Sequence, residues 1–335
     1  MAKRRVSRKT TPAVTRLWFH VSSGNGTNYV DLSLAASAAN RRFYRQSSQW
    51  AVAGMALHTF GSTDGSGNLL TPVGSVDVLK IPDTWVAHNS HTKAKSLWMK
   101  SQDQVLDDQP SIKAKYNDFK VYMDSNMAGS DIQAVSTSAA ADGDILLPVD
   151  SRNFPALAGE WIYSTIQLPN DGGSVAPTEV TMHMVGAEAV GDSRGIIQGY
   201  AESRSRPFRH DPNIPSDPGW FNDVFDVADL NEEIREDVTE DNDVPPYRVG
   251  DANTAAGGQD NTFYPGGETN MPNVAIHTKQ FISGTTIGGK THIEGGVFGC
   301  GLIRFDWNIS NAADSMYLCI DLVPGNYKGY LTEVY

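Results

Sequence analysis

Five of the first nine residues, Lys3, Arg4, Arg5, Arg8 and Lys9, are cations, and none is an acid. Such a run suits one kind of chemistry: it pairs with phosphates, displacing the counterions that condense on a polyanion, and needs no fold to do so. Arg16, Arg41, Arg42 and Arg45 extend the cationic stretch against a single acid, Asp31, so residues 1 to 45 carry a net charge of +8. The whole chain carries −12, which leaves −20 on the remainder. This is the polarity of a basic arm on an acidic body, and it predicts a polyanionic partner for one end only. A solvated tail or a nuclear-import signal is the competing reading of the same five cations.

Other chemistries fare worse. Asp237, Glu240, Asp241 and Asp243 are weak candidates for metal ligation, because an EF-hand loop needs acids at alternate positions, Gly at the sixth and Glu at the twelfth, and that spacing is absent. No metal site is therefore expected. His88 and His91 could share a helix face, yet no third ligand follows at His-Glu-x-x-His spacing, so they read as solvated or capping side chains. The stretch Gly284-Thr-Thr-Ile-Gly-Gly-Lys290-Thr291 meets the spacing of a phosphate-binding loop. The glycines that follow it oppose the helix whose amides would face the phosphate, and a Gly-rich turn between strands is expected instead. No Gly-x-Ser-x-Gly elbow is present. Cys300 and Cys319 are the only cysteines, too few for a disulfide framework or a cysteine-rich zinc site. Both fall in predicted strands near the C-terminus and are expected as buried free thiols, with neighbours across a ladder as the alternative. Neither an enzyme nor a cofactor is predicted. Asn25-Gly-Thr27 and Asn308-Ile-Ser310 fit the glycosylation pattern, but without a secretory signal they are expected to stay unmodified.

The elements that must position the cations are mainly strands. The 31 Gly and 17 Pro spread through 335 residues indicate many turns, which favours an all-β fold. No apolar run approaches the roughly 18 residues of a membrane span. Strands are predicted at 16–22, 29–32, 50–60, 74–81, 118–124, 145–147, 160–168, 180–185, 195–200, 274–283, 297–307 and 316–323. Ser33 is expected to cap a helix running through Tyr44, which would gather Arg41, Arg42 and Arg45 at helical spacing. Ala94, Leu97, Trp98 and Val105 predict a second helix over 91–108, closed by Pro110. Trp18, Phe43 and Tyr44 lie close to the basic residues and could stack on unpaired bases, although core packing is the preferred reading.

The largest interruption runs over about 205–272. Residues 211 to 243 hold twelve acids and one base, Arg235, and the spacing of Phe221, Val224, Phe225 and Ala228 predicts an acidic amphipathic helix over at least 220–236. It is expected on an outer surface, away from any polyanion.

Taken together, the arm, the strand-rich body, the inserted helices and the long acidic loop resemble the capsid protein of a small icosahedral virus. Asn40-Arg-Arg-Phe-Tyr-Arg-Gln46, Ile81-Pro-Asp-Thr-Trp-Val86 and Ser111-Ile-Lys-Ala-Lys-Tyr-Asn-Asp-Phe-Lys-Val-Tyr122 are similar to capsid proteins of small circular single-stranded DNA viruses known mainly from environmental sequences. The resemblance covers about the first half of the chain. It implies a single jelly-roll β-sandwich with inserted helices and long loops as a shell domain over 16–335, with the flexible arm of residues 1–15 inside against the genome. It implies Lys3, Arg4, Arg5, Arg8 and Lys9 as genome contacts, many copies in one shell, a host receptor and residence in the virion after synthesis in the host cytosol. It carries no active site. Five cations per copy neutralise about five phosphates, so roughly 60 copies would cover only a few hundred, and either other counterions are needed or the inward face must add Arg16, Arg41, Arg42 and Arg45. A double jelly-roll capsid of a membrane-containing phage is the alternative architecture. A soluble lectin-like or phage receptor-binding β-sandwich is the competing class, and an enzyme on a β scaffold is the third.

Overall fold

The computed structural model describes residues 13–22, 24–108, 111, 118–134, 139–159, 161–168, 178–187, 189–205, 273–283, 289–310 and 315–335. In chain order the elements begin with β1 (Arg16–Ser22), β2 (Asn25–Asp31), α1 (Leu32–Asn40), β3 (Ser48–His58), a small hairpin of β4 (Ser62–Thr63) and β5 (Leu69–Leu70), and β6 (Val73–Lys80). Next come α2 (Trp85–Asp108), α3 (Ser125–Ala128), β7 (Thr165–Leu168), β8 (Thr178–His183), β9 (Ala189–Val190), β10 (Ser193–Gly195) and α4 (Ile196–Ser205). The chain closes with β11 (Ala275–Ile282), β12 (Lys290–Phe298), β13 (Leu302–Ser310), β14 (Ser315–Leu322), a hairpin of β15 (Pro324–Gly325) and β16 (Gly329–Tyr330), and β17 (Thr332–Val334). The described residues fall into two compact units.

The first unit holds residues 13–78, 131–159 and 277–335 and is an antiparallel β-sandwich. One sheet has the order β1-β14-β3-β12, with β17 added to β3, and the other has the order β11-β6-β13-β2. Alternation drives the layering: in β1, Leu17, Phe19 and Val21 point to the core while Arg16 and Trp18 face out. Both sheets feed one core, in which Phe19, Leu57, Leu318 and Ile320 meet Val30, Val76, Ile303 and Phe305. Burial of side chains this size stabilises by about 1.5–3 kcal/mol each before the entropy of ordering is counted. The β1 and β2 edges are sealed by the segment over 140–149: Ala140 exchanges backbone bonds with His20 and Ser22, Val149 donates to Trp18, and Tyr29 bonds to Asp144 and Leu146. Covering exposed strand edges in this way removes templates for unwanted pairing.

The second unit, residues 79–130, 161–168, 178–187, 189–205 and 273–276 among those described, is mixed. Its sheet has the order β7-β8-β10-β9, with β10 parallel to β8. Helix α2 buries Ala94, Leu97 and Trp98 and contacts α4. Among the described residues this unit has four short strands rather than a second eight-stranded sandwich.

Several sequence expectations are corrected. Helix α2 starts six residues before the predicted 91, because Thr84 accepts the Ala87 N–H on its hydroxyl and opens the helix there. His91 is therefore neither solvated nor a cap: it is buried, 5.3 Å from the Phe119 ring, and burial pushes its pKa down to about 3. His88 pairs instead with Asp83 at 2.8 Å. Residues 196–200, predicted as strand, open α4; the short apolar run Ile196-Ile197 carries no periodicity that separates strand from helix. The predicted strand over 297–307 is two strands joined at Gly299–Gly301, where Cys300 has φ 53°. Cys300 therefore lies in a turn rather than a ladder, while Cys319 pairs with Trp18 and Ala56; both cysteines are buried and they form no disulfide. The stretch over 118–124 is extended but irregular, bonded through Tyr122 to Met182 and Met184. Lys290 and Thr291 begin a strand where a phosphate loop would need a helix, and residues 284–288 lie outside the described residues. Pro110 and the helix expected over 220–236 also lie outside them.

Candidate nucleic-acid interface

The cationic loop is built from the end of α1. Strand β2 runs directly into the helix, and Asp31 rather than Ser33 is the cap: its carboxylate accepts from the N–H groups of Ser33 and Leu34 at 2.9 and 3.1 Å. It also accepts from the Ser33 hydroxyl and from Gln46 Nε2 at 2.9 Å. Those four bonds favour the ionised form, but complete burial outweighs them and pushes the Asp31 pKa up. The helix begins at Leu32 because a buried Asp satisfies its first amides better than a Ser two residues later could.

At the other end the helix stops at Asn40, four residues before the predicted Tyr44. Arg41 takes a left-handed conformation, φ 51° and ψ 42°, so Arg41, Arg42 and Arg45 do not share a helical face. A left-handed non-glycine residue costs about 1–2 kcal/mol. The packing of the loop offsets that cost: Tyr44 is fully buried, its ring 6.1 Å from Trp50 and 5.2 Å from Tyr330. Ser37 Oγ accepts the Tyr44 N–H, and the Tyr327 hydroxyl accepts the Arg45 N–H. Arg41, Arg42 and Arg45 are all exposed on this short loop.

Sequence reasoning missed a fourth cation there. Lys328, also left-handed at φ 50°, donates to the Phe43 carbonyl and lies 5.5 Å from the centres of both the Tyr44 and Tyr327 rings. Only tertiary pairing brings residue 328 beside residue 43. The sole local signal is the turn composition of Gly325-Asn326-Tyr327-Lys328-Gly329.

The arm enters the fold at this same loop. Asn40 Oδ1 accepts the Val14 N–H at 2.8 Å, and the Tyr330 hydroxyl donates to the Val14 carbonyl at 2.5 Å. Asn40 Nδ2 donates to that hydroxyl at 2.7 Å and to the Ala36 carbonyl at 2.8 Å. Both backbone groups of Val14 are thus gripped beside Arg41. Burial pushes the Tyr330 pKa up to about 12, so its proton stays available for donation. Lys3, Arg4, Arg5, Arg8 and Lys9 lie outside the described residues, as do Asp237, Glu240, Asp241 and Asp243. Arg16, two residues on, is placed differently: it forms a bidentate pair with Asp321 at 2.6 and 2.8 Å on the outer face of its sheet. The Arg16 guanidinium holds the Asp321 carboxyl below the usual range. Of the three aromatic candidates, Tyr44 is core, Phe43 is half-buried and Trp18 is exposed.

Chemically, the loop offers three exposed guanidiniums and an ammonium close to Val14, an arrangement that suits phosphates without base reading. Among the described residues no cluster of three or more metal-ligating side chains occurs. No helix among them is long and apolar enough to cross a membrane. Compared with known proteins, the chain matches no family model, no curated protein and no solved structure.

Proposed function

We propose that this chain is a jelly-roll capsid protein, one of many copies in an icosahedral shell that encloses a single-stranded DNA genome. The observation that carries the reading is the nested strand order. β1 lies beside β14, β2 beside β13, β3 beside β12 and β6 beside β11, so that eight long strands fold back on themselves as one extended hairpin wrapped into two sheets. A jelly roll folds eight strands into two facing sheets, and this nesting of eight of the strands supports that reading. The second support is electrostatic: Arg41, Arg42 and Arg45 are exposed on the loop that follows Asn40, with Lys328 exposed beside it; the Asn40 side chain holds Val14, and five further cations precede Val14 in the sequence of an otherwise acidic chain. Apolar side chains left in water are the third. Leu69, Phe281 and Val334 are 70%, 68% and 86% exposed, and contacts between copies would cover such groups.

The net negative body keeps subunits apart at low ionic strength, so salt favours assembly by screening. Electron microscopy of the purified protein across a salt series tests the reading. Closed particles are expected. Persistent monomers at high concentration, at every salt and pH, contradict a capsid and favour a solitary binding module.

A further inference from the structure

The outer face of the β1-β14-β3-β12 sheet carries a patch of aromatic rings at one end, beside the polar side chains of Arg16, Asp321 and Lys290. Trp18 is 37% exposed and Phe60 is 52% exposed, and His58 and Tyr317 are half-buried between them. The rings form a continuous surface: Trp18 lies 5.2 Å from His58, and Tyr317 lies 6.1 Å from Phe60 and stacks on His20 at 4.6 Å. The register explains the grouping, since Tyr317 and Lys290 flank His58 in the ladder while the alternate residues Leu57 and Leu318 go to the core. Beside Phe60 opens a cleft of about 250 Å³, also lined by Leu69, Pro72 and Gly289.

We infer that this face is a stacking platform for unpaired nucleotides, and that the chain binds single-stranded nucleic acid there in preference to duplex. The inference rests on the reading of a nucleic-acid partner and adds a second contact to it, distinct from the arm and the arginine loop. Exposed rings accept any base through its π-face, and only an unpaired base can offer that face. Nucleic acid is favoured over a sugar because of what borders the rings. Lys290 is exposed at one side of His58, and Val14 lies four residues before Trp18, at most about 13 Å away along the chain. A nucleic-acid strand held on the loop beside Val14 would therefore lie close to the first ring.

The test uses the full chain and three proteins: wild type, Trp18→Ala/Phe60→Ala, and Trp18→Phe as the conservative control. Binding of labelled oligo-dT and of a duplex of equal length is measured by anisotropy across a salt series, with circular dichroism to verify the fold. The wild type should prefer the single strand, and the double variant should bind it on the order of ten-fold or more weakly, with an unchanged salt slope. Trp18→Phe should retain most of the preference. In parallel, oligonucleotides carrying 5-iododeoxyuridine should crosslink to Trp18 or Tyr317. If the double variant binds single strands as tightly as wild type, the platform is refuted while the phosphate-binding region stands. If the wild type binds no nucleic acid at any salt, both fail. Retention on a glycan array by the aromatic face, with equal affinity for single strand and duplex, would overturn the platform in favour of a sugar.

Discussion

Replacing Tyr330 by Phe removes one oxygen and nothing else, yet it should loosen the attachment of the arm. That hydroxyl donates to the Val14 carbonyl and accepts from Asn40 Nδ2, within a fully buried residue. Each net hydrogen bond contributes about 0.5–1.5 kcal/mol, so Tyr330→Phe should cost about 2 kcal/mol. Asn40→Ala loses the bonds to Val14, Ala36 and Tyr330; because the Val14 N–H can turn to water, its cost should also be about 2 kcal/mol. The bond between Asn40 and Tyr330 is lost in both variants. The double variant should therefore cost about 3 kcal/mol, not the sum, with a coupling near 1 kcal/mol that stands above the usual scatter of additivity. Urea denaturation of the four proteins of the cycle at pH 7 measures this, with hydrogen exchange at Val14 reporting release of the root. A Tyr330→Phe variant within 0.5 kcal/mol of wild type, or a strictly additive cycle, refutes the clamp.

Further outcomes follow from other sites. His91, pushed down to about 3 by burial, stays neutral in the folded protein while the unfolded chain protonates near 6.5. The folded state should then lose about 1.4 kcal/mol per pH unit as pH falls from about 6.5 toward 3, and His91→Leu should flatten that slope in urea midpoints measured at pH 7 and 5. Gly74, at φ 157°, has no room for a side chain because a Cβ would land on the Asn308 carbonyl oxygen; Gly74→Ala should cost several kcal/mol and lower the thermal midpoint sharply. Replacing Arg41 and Arg45 together by Ala should leave that midpoint unchanged and reduce the salt slope of single-strand binding by about 1.4, at roughly 0.7 per phosphate contact.

Much of the sandwich was legible because β1, β3, β6 and β14 carry apolar alternation between turn residues, the pattern that a two-sided sheet imposes. What failed was punctuation. Nothing local says that Arg41 turns left-handed, since that conformation depends on Tyr44 packing against Trp50 and Tyr330, residues brought close by the closing strands. Cys300 hid the turn between β12 and β13 because a cysteine with positive φ is rare, and the flanking glycines fitted a strand bend equally well. Strand order was not legible at all, because β1 pairing with β14 joins residues about 300 positions apart. The interface followed the same division. Arg41, Arg42 and Arg45 were visible as charges, whereas Lys328 and the Asn40–Tyr330 grip on Val14 exist only once the two ends of the chain meet.

The central claim is a closed shell of many copies that holds nucleic acid through its basic region, and nuclease protection measures both halves at once. Protein expressed in cells is treated with nuclease, fractionated on a density gradient, and each fraction is assayed for protein and for protected nucleic acid, alongside a variant lacking residues 1–12. The account predicts a fast-sedimenting peak of closed particles with protected nucleic acid in the wild type. The truncated protein should give particles of the same size with much less of it. Wild-type protein that sediments only as a monomer, with no protected nucleic acid at any salt, would contradict it.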